Sequence, residues 1–166
     1  MTQEELLLLI DRAFDEGWKE LDLSGKGLTE LPTEIGKLTQ LETLILGRWA
    51  KEKIGPQGRK GYKRIGNQWV PLVLGNNLKS LPSKIANLGN LHKLDISGNP
   101  WDIIPDSVAK IQGLKHLIVT CIYLKEIPES ITQLVNLTTL NLSTNQITEI
   151  PESITQLVNL TTLNLS

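Results

Sequence analysis

Residues 126–143 and 149–166 are the same eighteen-residue string, EIPESITQLVNLTTLNLS, displaced by 23 positions. A chain that repeats itself at such a period stacks supersecondary units one on the next. The offset continues backwards. Pro151, Pro128, Pro105 and Pro82 follow one another at 23 residues, and Pro32 lies 50 before Pro82, which is one period plus 27 inserted residues.

The unit is clearest from Leu137, with Leu137, Leu140, Leu142, Asn145, Ile147, Ile150, Pro151, Ile154 and Leu157 as its fixed positions. This spacing resembles a leucine-rich repeat. Leu140 and Leu142 alternate with Thr139, Asn141 and Ser143, which predicts a short strand with leucines inward and polar residues outward. Proline has no donor and suits the first residue of a helical turn, so each Ile-Pro step should leave the strand layer and begin a return segment. One coil cannot bury its own leucines; stacking joins them into a continuous core. The expectation is an α/β fold, a right-handed leucine-rich repeat solenoid with a short parallel sheet on its concave face and an N-terminal capping helix.

Residues 1–17 supply that cap. Thr2 and Glu5 have capping-box spacing, Leu6, Leu9, Ile10 and Ala13 share one face, and Gly17 can stop the helix before Trp18. Residues 18–166 form the solenoid of about six coils of 23 residues, with a basic insertion over about 47–75 and an incomplete last coil. The first coil reads Leu21, Leu23, Leu28, Leu31, Pro32, and a later one Leu91, Leu94, Ile96, Asn99, Ile104, Pro105. Two coils lack the turn asparagine, since Lys26 and Ile122 stand at its place. Buried turn asparagines satisfy backbone groups, so backbone irregularity with apolar packing is expected at Ile122. At the other end, Leu163 and Leu165 have no following coil, and this uncapped end is expected to fray and to invite self-association.

The single cysteine, Cys121, excludes an internal disulfide and argues for a reducing cytoplasm. The acidic N-terminus, with only five consecutive apolar residues (Leu6 to Ile10), fits neither a signal peptide nor a membrane span. His92 and His116 lack an acid, serine or cysteine at a meaningful spacing, so the chain reads as a non-enzyme without cofactor or metal. Asn136, Asn141, Asn159 and Asn164 match N-x-[ST] merely because NLTTLNLS repeats, and are read as unmodified.

The insertion breaks the charge balance. Residues 1–47 hold ten acids and four bases, residues 48–64 seven bases and one acid, and residues 65–166 seven acids and six bases. Arg48, Lys51, Lys53, Arg59, Lys60, Lys63 and Arg64 lie near Trp49, Tyr62 and Trp69, a composition that suits an acidic partner and, less well, nucleic acid. Gly55, Pro56, Gly58 and Gly61 favour instead a projecting surface loop, counter-charged by the acidic cap. Trp69 to Asn77 looks like one more strand and turn, which would divide 41–91 into coils of 28 and 22 residues.

The LPxxIxxLxxLxxLxLxxN unit resembles the intracellular class of bacterial leucine-rich repeats. GWKELDLSGKGLTELPTEIGKLTQLETLILG, LHKLDISGNPWDIIPD and the asparagine-less IVTCIYLKEIP are similar to the N-terminal repeats of cyanobacterial Roco-type proteins. In that family the repeats precede a Ras-like GTPase and bind partners or regulate it. This chain has no GTPase motif, so no nucleotide residue is carried over. The implied function is protein–protein interaction on the concave face, through Glu20, Asp22, Thr43, Ile45, Lys93, Asp95, His116, Ile118, Thr120, Thr139 and Asn141. The alternative is a regulatory fragment of a larger Roco-type GTPase.

Overall fold

A computed structural model describes residues 1–120 and 123–166. Cys121 and Ile122, with the irregularity expected at Ile122, lie outside the described residues. Helix α1 (Gln3–Asp15) opens the chain. Among the described residues nine strands follow: β1 (Glu20–Asp22), β2 (Thr43–Trp49), β3 (Tyr62–Ile65), β4 (Gln68–Pro71), β5 (Val73–Leu74), β6 (Lys93–Ile96), β7 (His116–Ile118), β8 (Thr139–Asn141) and β9 (Thr162–Asn164). Six of them, β1-β2-β6-β7-β8-β9, form the parallel sheet of a leucine-rich repeat solenoid.

Its register follows the sequence period. Leu94, Leu117, Leu140 and Leu163 are directly paired, as are Leu21, Leu44 and Leu94. A second inward row of Leu23, Leu46, Ile96, Val119 and Leu142 is also buried. Each return begins at a proline. Pro32, Pro82, Pro128 and Pro151 cap short 3-10 turns that end at Leu38, Leu88, Leu134 and Leu157. The proline carbonyl accepts the first bond, from Ile35, Ile85, Ile131 and Ile154 respectively, and those isoleucines pack inward.

Helix α1 covers the first leucine layer. Thr2 Oγ1 accepts from the Glu5 amide at 3.1 Å while Glu5 accepts from the Thr2 amide at 2.8 Å, so the capping box forms in full. Leu6, Ile10 and Ala13 are buried. Gly17 adopts φ +64 and the Trp18 amide closes back on the Ala13 carbonyl at 2.9 Å, a glycine stop of the kind that ends helices. No helix among the described residues is long and apolar enough to cross a membrane.

The structure corrects the reading of 41–91 as two coils. β2 pairs with β6 directly and in parallel, so no strand lies between them, and β5 runs antiparallel to the end of β2. One coil therefore contains the whole 27-residue excursion. It is not a loop either: β3 and β4 form a hairpin around Gly66 (φ +58) and Asn67, a two-residue connection with glycine at its left-handed first position. Trp49 meets Tyr62 edge-on at 5.4 Å and donates to the Gly61 carbonyl at 2.7 Å. Lys51 sits over Trp49, and Arg59 over both Tyr62 and Trp69. The excursion is held by these ring and cation contacts.

The expected counter-charge from the acidic cap is absent among the described residues. On α1, Asp11 pairs with Lys37 and Glu16 with Arg12. From the excursion, Lys60 pairs locally with Glu52, and Arg48 reaches Asp22 of β1.

Candidate functional site

The outward side of the parallel sheet presents three rows. The first is Glu20, Thr43, Lys93, His116, Thr139 and Thr162; the second Asp22, Ile45, Asp95, Ile118, Asn141 and Asn164. The third, one step beyond an inward residue, is Ser24, Gly47, Ser97, Thr120, Ser143 and Ser166. The sequence-derived candidates fall on these rows, and the rows differ in what holds them.

In the first row Glu20 and His116 are exposed, and Thr43, Lys93 and Thr139 half-buried. Glu20, Thr43, His116 and Thr139 make no side-chain hydrogen bond or ion pair among the described residues. The second row is committed to the chain itself. Asp22, Asp95, Asn141 and Asn164 each accept from the amide two residues on, at 2.9 to 3.1 Å, and so end their strands in Asx-type turns. The signal was present as [DN]-x-S at the 23-residue period; the N-x-[ST] match at Asn141 and Asn164 is this turn. Ile45 and Ile118 carry no polar group, and of these Ile118 is half-buried.

Ile45, Asp95 and Thr120, expected on the binding face, are instead buried, at 8%, 7% and 3% exposure. Ile45 lies between Asp22 and Asp95 in the second row. Arg48 pairs with Asp22 at 3.3 Å and donates to Ser24 Oγ at 3.3 Å, and its charge favours the Asp95 carboxylate. Asp95 also accepts from Ser97 Oγ at 2.6 Å, and Thr120 donates to Ser97 Oγ at 2.9 Å. Their polar atoms face each other rather than solvent.

Burial pushes the Asp95 carboxyl up to about 6 from an ordinary 3.8, against the opposing pull of Ser97, Lys93 and Arg48. The folded chain thus holds a proton that the unfolded chain releases, and the stability this gives is fully present below about pH 4 and lost as pH rises through about 6. Asp95→Asn keeps an oxygen for Ser97 and removes the charge. It is expected to raise stability by about 1 to 3 kcal/mol at neutral pH and to abolish the decline between pH 4 and 6. Urea midpoints of the two proteins across that range check this.

Beside the strands runs a ladder of turn asparagines. Asn76 accepts from the Leu28 amide and donates to the Leu23 and Leu46 carbonyls; Asn99 accepts from Leu78 and donates to Leu46 and Ile96. Asn145 does the same for Leu124, Val119 and Leu142. Asn76 is the turn residue of the coil of Leu46, displaced by the excursion. It also serves the preceding coil, whose own position holds Lys26. Next to Ile122 the chain passes through Tyr123 at φ +64, a left-handed position that is costly for a non-glycine residue. A second ladder escaped the sequence reading: Gln40, Asn90, Asn136 and Asn159 donate to the carbonyls of Ala13, Thr39, Gln112 and Val135 on the return side. Its signal is a carboxamide at the residue before the layer-opening leucines Leu41, Leu91, Leu137 and Leu160, with Gly113 in that place before Leu114.

These surfaces offer hydrogen bonds and charge. Among the described residues no group of three or more His, Cys, Asp or Glu side chains could hold a metal ion.

Comparison with known families gives a profile described as leucine-rich repeat on residues 112–166 and a second of the same description on 90–111. The chain is a leucine-rich repeat protein. It is similar in structure to a leucine-rich repeat protein of Leptospira interrogans, with 30% identity and a TM-score of 0.71 over 93% of this chain and 33% of that one. An internalin of Listeria monocytogenes is 26% identical, with a TM-score of 0.52 over 82% of this chain and 32% of its own. The Arabidopsis receptor kinase HAESA, solved with the peptide hormone IDA and a co-receptor, is 25% identical, with a TM-score of 0.55 over 92% of this chain and 26% of its own. The leucine-rich repeat protein thus spans about a third or less of these neighbours' length. A search of curated proteins finds no significant match.

Proposed function

We propose that this leucine-rich repeat protein is a non-catalytic interaction module, binding a protein partner across the concave strand face. The observation that carries the reading is the contrast between rows. In the second row Asp22, Asp95, Asn141 and Asn164, and in the third Ser24, Ser97, Thr120 and Ser166, have side chains bonded within the chain, whereas Glu20, Thr43, His116 and Thr139 stand on the sheet with their polar groups uncommitted. Leucine-rich repeat domains generally mediate protein–protein interaction, and the HAESA neighbour was solved holding a peptide hormone. A flat row of charged, imidazole and hydroxyl groups on a rigid sheet suits a folded or extended protein surface. The binding residues are Glu20, Thr43, Lys93, His116, Ile118 and Thr139, with Asp22 and Asn141 contributing only the acceptor capacity their turns leave free.

Photo-crosslinking tests this. A photoreactive side chain at His116 or Thr139 is expected to trap a protein partner that the same group at Thr132, on the return side, does not. His116→Glu combined with Thr139→Arg is then expected to weaken that partner's binding at least tenfold, about 1.4 kcal/mol. Trapping from Thr132 alone would reject the strand face.

A bacterial, cytoplasmic setting ahead of a Roco-type GTPase is supported by the repeat resemblance and by the single cysteine. A reading frame continuing past Ser166 into a GxxxxGK[ST] motif would support that placement, and one continuing into a different domain would contradict it.

A further inference from the structure

The β3–β4 hairpin uses one of its two faces for its own packing. Tyr62 pairs with Pro71, Lys63 with Val70, Arg64 with Trp69 and Ile65 with Gln68. Cross-strand partners share a face and neighbours alternate, so Tyr62 and Trp69 lie on one side and Lys63, Ile65 and Val70 on the other. Arg59 closes the first side, stacked at 4.5 Å from the Tyr62 ring centre and 5.1 Å from that of Trp69. The second side faces a groove of about 390 Å³, whose opposite wall includes Asn77, Pro100, Tyr123 and Thr144. Ile65 and Tyr123, lining the same groove, are 60% and 69% exposed.

Three features say what would fill it. The wall residues come from the turns of four successive coils, so at roughly 4.8 Å per coil the groove runs about 14 Å, the length of about four residues of extended chain. Its lining carries Lys63 and, among the described residues, no carboxylate. Lys63 has no ion-pair partner among those residues, and Lys53, Arg59 and Arg64 add positive charge on the same excursion. The site is elongated, apolar at its centre and carries one cation, Lys63, on its hairpin wall.

The geometry points to a second binding site in this groove, for an extended acidic segment of a partner protein. A large apolar side chain of the segment would sit among Ile65, Val70 and Tyr123, and a carboxylate would pair with Lys63. The site stands on different residues from the strand face and does not depend on it. The field of the excursion also gives the contact a salt dependence that the neutral turns opposite would not.

A phage-displayed library of short random peptides, panned on the full chain, supplies the probe, and fluorescence polarisation of the enriched peptides measures it. The expected peptides combine at least one Asp or Glu with a large apolar residue. Their affinity is expected to fall at least tenfold with Lys63→Glu and about fivefold with Tyr123→Asn, which keeps a residue tolerant of the left-handed backbone. Higher salt is expected to weaken them, and Thr139→Arg to leave them unchanged. Unaltered thermal unfolding of the two groove variants separates lost binding from lost structure. Failure to enrich any peptide, enrichment of neutral or basic ones, or indifference to both groove substitutions would overturn the proposal. Loss of binding in Thr139→Arg alone would assign the peptides to the strand face instead.

Discussion

Replacing Leu140 by alanine is expected to destabilise the protein by about 2 to 5 kcal/mol, and replacing its neighbour Thr139 by alanine by less than about 0.5. Leu140 is fully buried and paired in register with Leu117 on one side and Leu163 on the other, so truncation opens a cavity that two coils share. Thr139 points outward from the same strand, half-buried, without a side-chain bond. In a solenoid each coil is held by its neighbours, so the loss at Leu140 should first loosen the β8–β9 end, leaving α1 and the first coils protected. Urea midpoints measure both changes. A threonine change costlier than the leucine change would invert the assignment of faces.

The second large effect comes from one buried amide. Asn76→Ala is expected to cost about 2 to 5 kcal/mol, because it strands the Leu28 amide and the Leu23 carbonyl where water does not reach, each at about 1 to 3 kcal/mol before relaxation, and leaves the Leu46 carbonyl with only the longer bond from Asn99. Deleting Arg48–Leu74 is expected to do far less harm. That cut removes the inserted 27 residues, leaves a coil of normal length, and brings Gly75 to the repeat position that Gly25, Gly98 and Thr144 hold at positive φ. It loses the exposed Arg48–Asp22 pair, which is worth little, while the leucines on both sides keep their neighbours. A single side chain thus matters more to the solenoid than the whole hairpin does.

The coil was legible because its signals are local and periodic. Proline at every return, leucines at a period of two in the strand and the Thr2–Glu5 box each state one element without help from the rest of the chain. The excursion was not, because its order comes from contacts across it. Gly55, Gly58 and Gly61 read as a loop, and nothing in the spacing of Trp49, Arg59, Tyr62 and Trp69 states that they stack. The turn asparagine of the second coil, Asn76, was placed in an additional coil for a related reason. Counting three residues from Leu46 gives Trp49, and only the return of the chain at Gly75 puts Asn76 there. That return needs glycine, since a Cβ on Gly75 would collide with the Gly98 carbonyl.

The outer strand face was legible as rows, with its outward alternation correct. Which members were free was not, because alternation says where a side chain starts and not whom it meets. Asp95 and Thr120 turn to Ser97, and Ile45 is buried, which leaves the first row as the open one. The spacing of Asp22 to Ser24 and Asp95 to Ser97 would have revealed the Asx turns had it been read as turn chemistry.

One 23-residue register runs through the chain, and the excursion is an insertion within a single coil, closed by Asn76. Amide hydrogen exchange at Leu28 in the chain lacking Arg48–Leu74 tests it most directly. Retained slow exchange at Leu28, lost on adding Asn76→Ala, is the expected result. Fast exchange at Leu28 in the deletion chain, with the later coils still protected, would show that the excursion is part of the solenoid's own architecture.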